Sequence, residues 1–470
     1  MTKKTSIQTI LVLAICAVLT GCAPAGSDGG GGGGGITFGP IAFQVPADND
    51  EIQAPVTLSA SGPGISNVIF MIDLVPVAND GVAPYEYELD PLTLSEGEHG
   101  ILIFAQHTSG DERVASLKIQ VVRPRIPVSE ILANIDALQP GEWYEIPQTE
   151  MRRVDWSKDN SPHSRGGQDG VFSNSSGAYD TKRDRLVVWG GGGDSERNEV
   201  HAFDLNTAAW LRLTDPSPWP AGGEGNAFNL VTHPDGAPVS RHSYDYLEYL
   251  PPPVDRFYVG AGAAGNGLVD PNSYLFDFDT NTWAFGPALD ATGFGSHTGL
   301  AADGTIWQHG AGSAASLLEA IDVTAGTAVN HVQFGGFYDL GHTSVVDRMR
   351  NLLVAVGSGV TRVWDLSNPG VFSTILPTTG DTAVESIHGV GLVYHAATDR
   401  IIAWKGTKDI YVLDVDAATW TLVPGSGIVD PGAVNRGVFG RWRYVPSKDV
   451  FITALSVAQN VFVYRLANLP

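Results

Sequence analysis

The chain has 470 residues, of which 43% are hydrophobic and 17% charged, with 56 Gly, 29 Pro and 11 Trp. Such a length needs more than one domain, and the composition excludes a coiled coil, a polytopic membrane protein and a wholly disordered chain, favouring strands joined by turns. A formal charge of −23, from 28 basic and 51 acidic residues, repels phosphate backbones. Nucleic acid is therefore no partner, although a local basic pocket can still hold a single anion.

Lys3 and Lys4 precede an apolar run over residues 10 to 19, followed by small residues and Cys22. That is the order of an n-region, an h-region and a cleavage site, and the run is too short to span a bilayer. The cleavage site Leu19-Thr20-Gly21-Cys22 resembles the lipobox of bacterial lipoproteins. The resemblance implies that residues 1–21 are a signal peptide and that Cys22 carries lipid as the first mature residue. The lipid bilayer is then a partner through acylated Cys22, since more than one acyl chain anchors stably. Ala23 rather than Asp follows the Cys, and in a Gram-negative cell the sorting pattern of that family then implies the outer membrane, on its periplasmic or surface face. An ordinary secretory leader with an incidental Cys is the alternative. Residues 22–39 include seven consecutive Gly at positions 29 to 35, a flexible tether. Cys16 leaves with the leader, so no thiol remains for a disulfide, a cysteine nucleophile or a thiolate metal site.

Residues 40–123 read as short alternating strands with turn signals between them, enough for a sandwich. The succession "VIFMIDLVPV", "APYEYELD", "LSEGEHGILIFAQ" and "LKIQVV" resembles bacterial Ig-like domains without the Cys pair of antibody domains. The resemblance implies a spacer or auxiliary binding module. Pro124, Pro127 and Pro140 mark a linker over residues 124–140.

Beyond residue 140 the sequence repeats, which takes precedence over local readings. The clearest unit spans residues 177 to 213: a first strand, a turn, an apolar strand ending in glycines, an alternating strand ending in Phe203-Asp204, and Trp210 on a last strand. Aligning the starts of the first strands gives Gly177, His242, His297, His342, His388 and Arg436, hence six copies. Period, Gly-rich second strand and terminal Trp resemble Kelch repeats and the propeller domain of the galactose oxidase group, over residues 141–470. The fold class expected is therefore all-β, an Ig-like β-sandwich followed by a six-bladed Kelch-type β-propeller. The last copy stops after its third strand, and "GEWYEIP" at residues 141 to 147 resembles an isolated fourth strand. If it completes the last blade, the ring has no open seam.

Inner strands of a propeller begin near its channel, on the face where the loops between blades gather. Arg241, His242, His297, His342, His388 and Arg436 are the candidate ligand or metal residues there, and four His at one repeat position stand out among 12 in the chain. On one reading the imidazoles hold a divalent metal or act as bases; on the other each is an inherited structural donor to a neighbouring blade. Arg241 and Arg436 could hold a carboxylate, or pair with local acids. A galactose oxidase copper site needs a Tyr cross-linked to a Cys, and no mature Cys is available for it. Two insertions, 148–172 and 214–240, contain Trp156, His163, Arg165, Trp219 and His233, and loops of that kind build binding surfaces. The resulting expectation is a membrane-anchored module binding a glycan or protein partner at its loop-rich face. The alternative is a polysaccharide lyase or another metal-assisted enzyme using the His ring.

Overall fold

A computed structural model describes residues 41–94, 97–122, 126–151, 154, 170–190, 198–217, 231–260, 262–263, 269–290, 295–310, 316–334, 341–434 and 436–469. The lipobox, Cys22 and the glycine tether lie outside the described residues, as do Trp156, His163, Arg165 and Trp219. Among the described residues no helix is long and apolar enough to cross a membrane.

The first part of the chain forms two sheets. A three-stranded sheet places Val56–Ser61 between Ala42–Gln44 and Tyr85–Leu89. A five-stranded sheet runs in the order Asp50–Ile52, Glu112–Val121, Gly97–His107, Ile65–Ile72, Val75–Asp80. Side chains alternate across a strand, and Leu58 and Ala60, Val68 and Phe70, and Ile101, Ile103 and Ala105 share one buried core.

Beyond them six antiparallel sheets of four strands follow one another along the chain, the fifth extended by a short parallel strand, Thr379–Gly380, and a two-stranded ribbon, Gly262–Ala263 with Val269–Asp270, is inserted within the second. The innermost strands of the six are Gly177–Asp180, Leu247–Leu250, His297–Leu300, Thr343–Asp347, Gly391–His395 and Arg443–Val445. Each touches the next, and the sixth touches the first. Second strands such as Leu352–Gly357 and Arg400–Trp404 are apolar in consecutive positions rather than alternate ones, because both of their faces are covered. The covering follows the same cycle. Val187 meets Phe257, Tyr258 meets Ile306, Trp307 meets Leu353, Val354 meets Ile401, Ile402 meets Phe451 and Ile452 meets Leu186, each pair within a shared apolar cluster.

The sixth sheet takes its outermost strand from upstream, as the ends of the chain suggested: Trp143–Ile146 pairs antiparallel with Val461–Tyr464, Trp143 opposite Tyr464 and Ile146 opposite Val461. The Trp143 ring packs at a tilt against Trp404 and Tyr464, with centroids 5.2 and 4.8 Å away, and its indole N–H donates to Lys408 O at 2.7 Å. Thr149 accepts from Val461 N at 2.8 Å through its hydroxyl, while its carbonyl accepts from the Trp210 indole at 2.8 Å. The added strand is thereby tied to the fifth, sixth and first sheets.

The stretch read as a linker contains an α-helix, Val128–Ala137. Ile131 and Ile135, one turn apart, are buried in the cluster between sixth and first sheets, the spacing that puts i and i+4 on one helical face. Prolines mark linkers, yet they also start helices: Pro127 occupies the helix N-cap position, where its missing N–H leaves no intrahelical bond unmade.

The turns joining first to second strands share a device. Asp184, Asp255, Asn351, Asp399 and Asp449 take φ between 49° and 53°, a left-handed conformation that Asn and Asp tolerate best after Gly. Four of these aspartates also accept from a tyrosine just upstream: Tyr179 to Asp184 at 3.2 Å, Tyr249 to Asp255 at 2.8 Å, Tyr394 to Asp399 at 2.9 Å and Tyr444 to Asp449 at 2.8 Å. Two arginines staple neighbouring sheets. Arg183 reaches Asp180, Asp255 and Asp279 at 2.8 to 3.1 Å, and Arg350 reaches Asp347, Asp399 and Asp416 at 2.7 to 2.8 Å.

Candidate functional site at the innermost strands

Inner-strand starts coincide with the repeat alignment at Gly177 and His297, and His342 directly precedes its strand. The other three positions lie upstream of theirs. Residues before Leu247 first close a turn, with Tyr246 N donating to Ser243 O at 3.0 Å. Gly389, at φ +63°, separates His388 from the strand beginning at Gly391, and a 3-10 turn, Phe439–Arg441, separates Arg436 from Arg443. Strand registers follow ladder hydrogen bonds, not the histidines used to align them. The six candidates accordingly separate into three environments instead of one ring.

His297 and His342 come together, with ring centroids 6.0 Å apart. His309, which the sequence did not single out, is 5.0 Å from His297, opposite it across the ladder, and 4.9 Å from Trp364. All three are at most 2% exposed. Burial, reinforced by repulsion from His309 and His342, holds His297 well below the ordinary histidine range, and burial carries His309 down to about 3. Neither is a cation at neutral pH. His297 Nδ1 lies 2.7 Å from Ser344 Oγ, which donates to Thr298 O at 2.9 Å. A hydroxyl has one proton, so on this wiring the imidazole donates to Ser344, and the serine is a relay with no base to activate it. Among the described residues no three His, Cys, Asp or Glu side chains are arranged to hold a metal ion. The divalent-metal reading therefore has no geometric support there.

The second group rims the end where inner strands begin. His242 meets Tyr244 edge-on at 5.8 Å, Tyr244 meets Phe439 at 5.8 Å, and Phe439 meets exposed His388 at 5.6 Å. Phe439 is fully buried at φ +51°. A Cβ on Gly389 would come within 2.5 Å of its ring, so Gly389 is what lets the ring sit there. Exposed Arg436 donates to Ser173 Oγ at 2.6 Å. Phe439 fills this end, with polar groups around it.

Arg241 belongs to neither group. It is fully buried, paired with fully buried Asp270 at 2.9 Å, and its guanidinium lies 5.3 Å from the Tyr274 ring centroid and 5.9 Å from that of Trp189. Tyr274 donates to the same carboxylate at 2.6 Å. Arg241 is a core pin, not a ligand clamp: an ion pair removed from water holds only when partners surround it. His233 is likewise buried, and burial lowers its pKa.

At the opposite end the six inner strands enclose a cavity of about 300 Å³. Tyr179, Tyr249, Tyr394 and Tyr444 contribute to its wall, with Glu248, Arg348 and Arg443 as its charged groups. Above it, Asp245 Oδ2 accepts from Ser344 N at 2.7 Å, and the single hydroxyl proton of Thr298 has two acceptors in reach, Asp245 O at 3.0 Å and Glu248 Oε1 at 3.1 Å. Burial pushes Asp245 well up, with Arg443 the largest opposing influence. Arg443 donates to Gly177 O at 2.8 Å and Leu247 O at 3.0 Å, and stands 3.8 Å from Glu248. The signal for this end was present in the sequence as a tyrosine five or six residues before each turn aspartate, but nothing local shows that four such rings share one space.

Residues 41–103 match the bacterial Ig domain family, so the chain carries an N-terminal Ig-like domain on an otherwise β-rich scaffold. No curated protein matches. Similar solved structures include fibronectin(III)-like modules of Clostridium thermocellum CbhA, at 27% identity, TM-score 0.16, over 18% of this chain and 100% of that one. An endo-beta-1,4-mannanase from Thermotoga petrophila matches at 19% identity and TM-score 0.16 over 19% of this chain, which spans only 21% of the mannanase's length. A quinonprotein alcohol dehydrogenase-like protein from Bacteroides thetaiotaomicron is similar at 10% identity and TM-score 0.33, over 83% of this chain and 98% of that one.

Proposed function

We propose that residues 141–470 are a six-bladed Kelch-type propeller acting as a non-catalytic binding module for a glycan or protein partner. Lipid on Cys22 anchors it at the cell envelope, and the Ig-like domain holds it off the bilayer. Six sheets in cyclic contact and the upstream strand in the last one support the propeller reading. The observation that carries binding over catalysis is the wiring of the histidines: His297 and His309 are buried and uncharged, and Ser344 Oγ relays a hydrogen bond instead of being activated. A lyase needs a base that touches solvent-borne substrate, whereas a binding module needs concave surface with a few polar groups.

The test is a glycan array and a protein pull-down with the chain lacking residues 1–35, beside an assay for polysaccharide cleavage and a metal analysis. Saturable binding without cleavage is the expected result; cleavage, or metal at one ion per chain, would put the enzyme alternative in its place. Cys22→Ser should move the full chain from the membrane to the soluble fraction.

A further inference from the structure

The axial cavity does not end at its own wall. A second groove, of about 460 Å³, runs between the turns of the second and third sheets, and both spaces are lined by Pro251, Leu300 and Arg348. Together they make one cleft that starts among the tyrosines and leaves between two sheets. The cavity alone is at the lower end of the roughly 300–1,000 Å³ of ligand sites, and the groove gives a longer ligand somewhere to go.

Arg348 sits at the junction. Its side chain is exposed, and its one hydrogen bond among the described residues is a long one, Nη2 to Leu300 O at 3.4 Å. No carboxylate is within ion-pair distance of it there. The contrast with Arg350, held by three carboxylates two residues further on, is telling in a chain of charge −23. An arginine left open beside a cavity is a site for one carboxylate. The four tyrosine hydroxyls are already bound to aspartates, so their rings are fixed in place and contribute surface, the kind on which a sugar ring packs. Glu248 and Arg443 add an acceptor and a cation in the same space. Further out, the groove passes Asp303 and Asp322, which repel a second negative charge.

Resting on the binding-module reading, we infer that this cleft takes the end of an oligosaccharide bearing a single uronic carboxylate. The carboxylate lies on Arg348, the terminal ring among the tyrosines, and neutral units along the groove. A polymer charged at every unit is excluded by Asp303 and Asp322.

Titration calorimetry on the detergent-solubilised full chain tests this with four probes: neutral oligosaccharides capped by one glucuronic acid, their carboxyl-reduced forms, a fully uronic trisaccharide, and an aspartate-containing tripeptide. The capped probes should bind and carboxyl reduction should weaken them about 10- to 100-fold, the range for a hydrogen bond to a charged group. Arg348→Ala should impose the same loss on the capped probe and none on the reduced one, Arg348→Lys should recover part of it, and thermal unfolding of both variants should match the parent. Equal binding of reduced and capped probes, indifference to Arg348→Ala, a preference for the tripeptide or the fully uronic probe, or no capped probe bound would each overturn the inference. A glycan found on the array that Arg348→Ala still binds would sink this cleft and leave the module reading standing; no ligand of any class would sink both.

Discussion

The two ends of the inner strands are built from the same six segments and differ in almost every physical respect. Where the strands begin, Phe439 fills the space, and the nearby imidazoles of His297, His309 and His342 are buried. Where they end, an open cavity is surrounded by tyrosines, and the arginines Arg183 and Arg350 clamp neighbouring sheets through carboxylates. One end is closed by packing and the other leaves a cavity, with ion pairs joining neighbouring sheets beside it. The repeat therefore does not assign function by position: the end that carries the conspicuous residues is the closed one.

The largest test of that contrast removes the plug. Phe439→Ala should cost about 3–5 kcal/mol of unfolding free energy, the usual range for deleting a buried aromatic ring, read by denaturant unfolding. A loss below about 1 kcal/mol would mean the ring is not filling that end. Next comes the clamp. Arg350→Ala strands fully buried Asp347 beside Asp399 and should cost about 3 kcal/mol at neutral pH. Hydrogen bonds from Arg350 are the main reason Asp399 and Asp416 titrate below the ordinary carboxylate range. Their stabilisation is present above the unfolded value near 4 and disappears as pH falls through the folded one. The deficit of Arg350→Ala should therefore shrink below about pH 4; a deficit constant to pH 2 would deny the clamp an electrostatic origin.

The closed end should respond to acid earlier. Folded His309 accepts a proton only near pH 3, whereas an unfolded histidine does so near 6.5. Below about 6.5 the unfolded chain binds the additional proton, so stability is complete above that pH and falls beneath it by about 1.4 kcal/mol per unit. His309→Phe should remove that slope between pH 6.5 and 5, about 2 kcal/mol in all, and an unchanged pH profile would place the imidazole in contact with water. The smallest effect belongs to a cavity wall. Tyr394→Phe deletes one hydrogen bond to Asp399 and should cost about 1 kcal/mol, at most slightly changing the Asp399 titration seen by NMR.

Much of the architecture could be read in advance because it rests on local and periodic signals. Apolar second strands, the turn aspartates and the lone strand around Trp143 are each encoded within a few residues, and the sheets follow them. The helix over Val128–Ala137 was legible in the spacing of Ile131 and Ile135 but was hidden by flanking prolines. The roles of Arg241 and the histidines were not legible. Arg241 looks like an exposed strand-end cation until Asp270 and Tyr274 close over it, and both come from a segment some thirty residues on.

By itself the sequence pointed to a strand-built chain with an Ig-like first domain followed by a repeating part, and offered residues 141–147 as a strand that could complete the last sheet. Periodicity, turn chemistry and pairing potential are properties of short segments, so they survive without coordinates. Only the tertiary structure decided which end of the inner strands is filled and which is open, and that Arg350 is held by three carboxylates while Arg348, two residues earlier, is left to the cleft. Those outcomes depend on side chains from different sheets competing for one axis, and their burial and charge are set by neighbours far away in the chain.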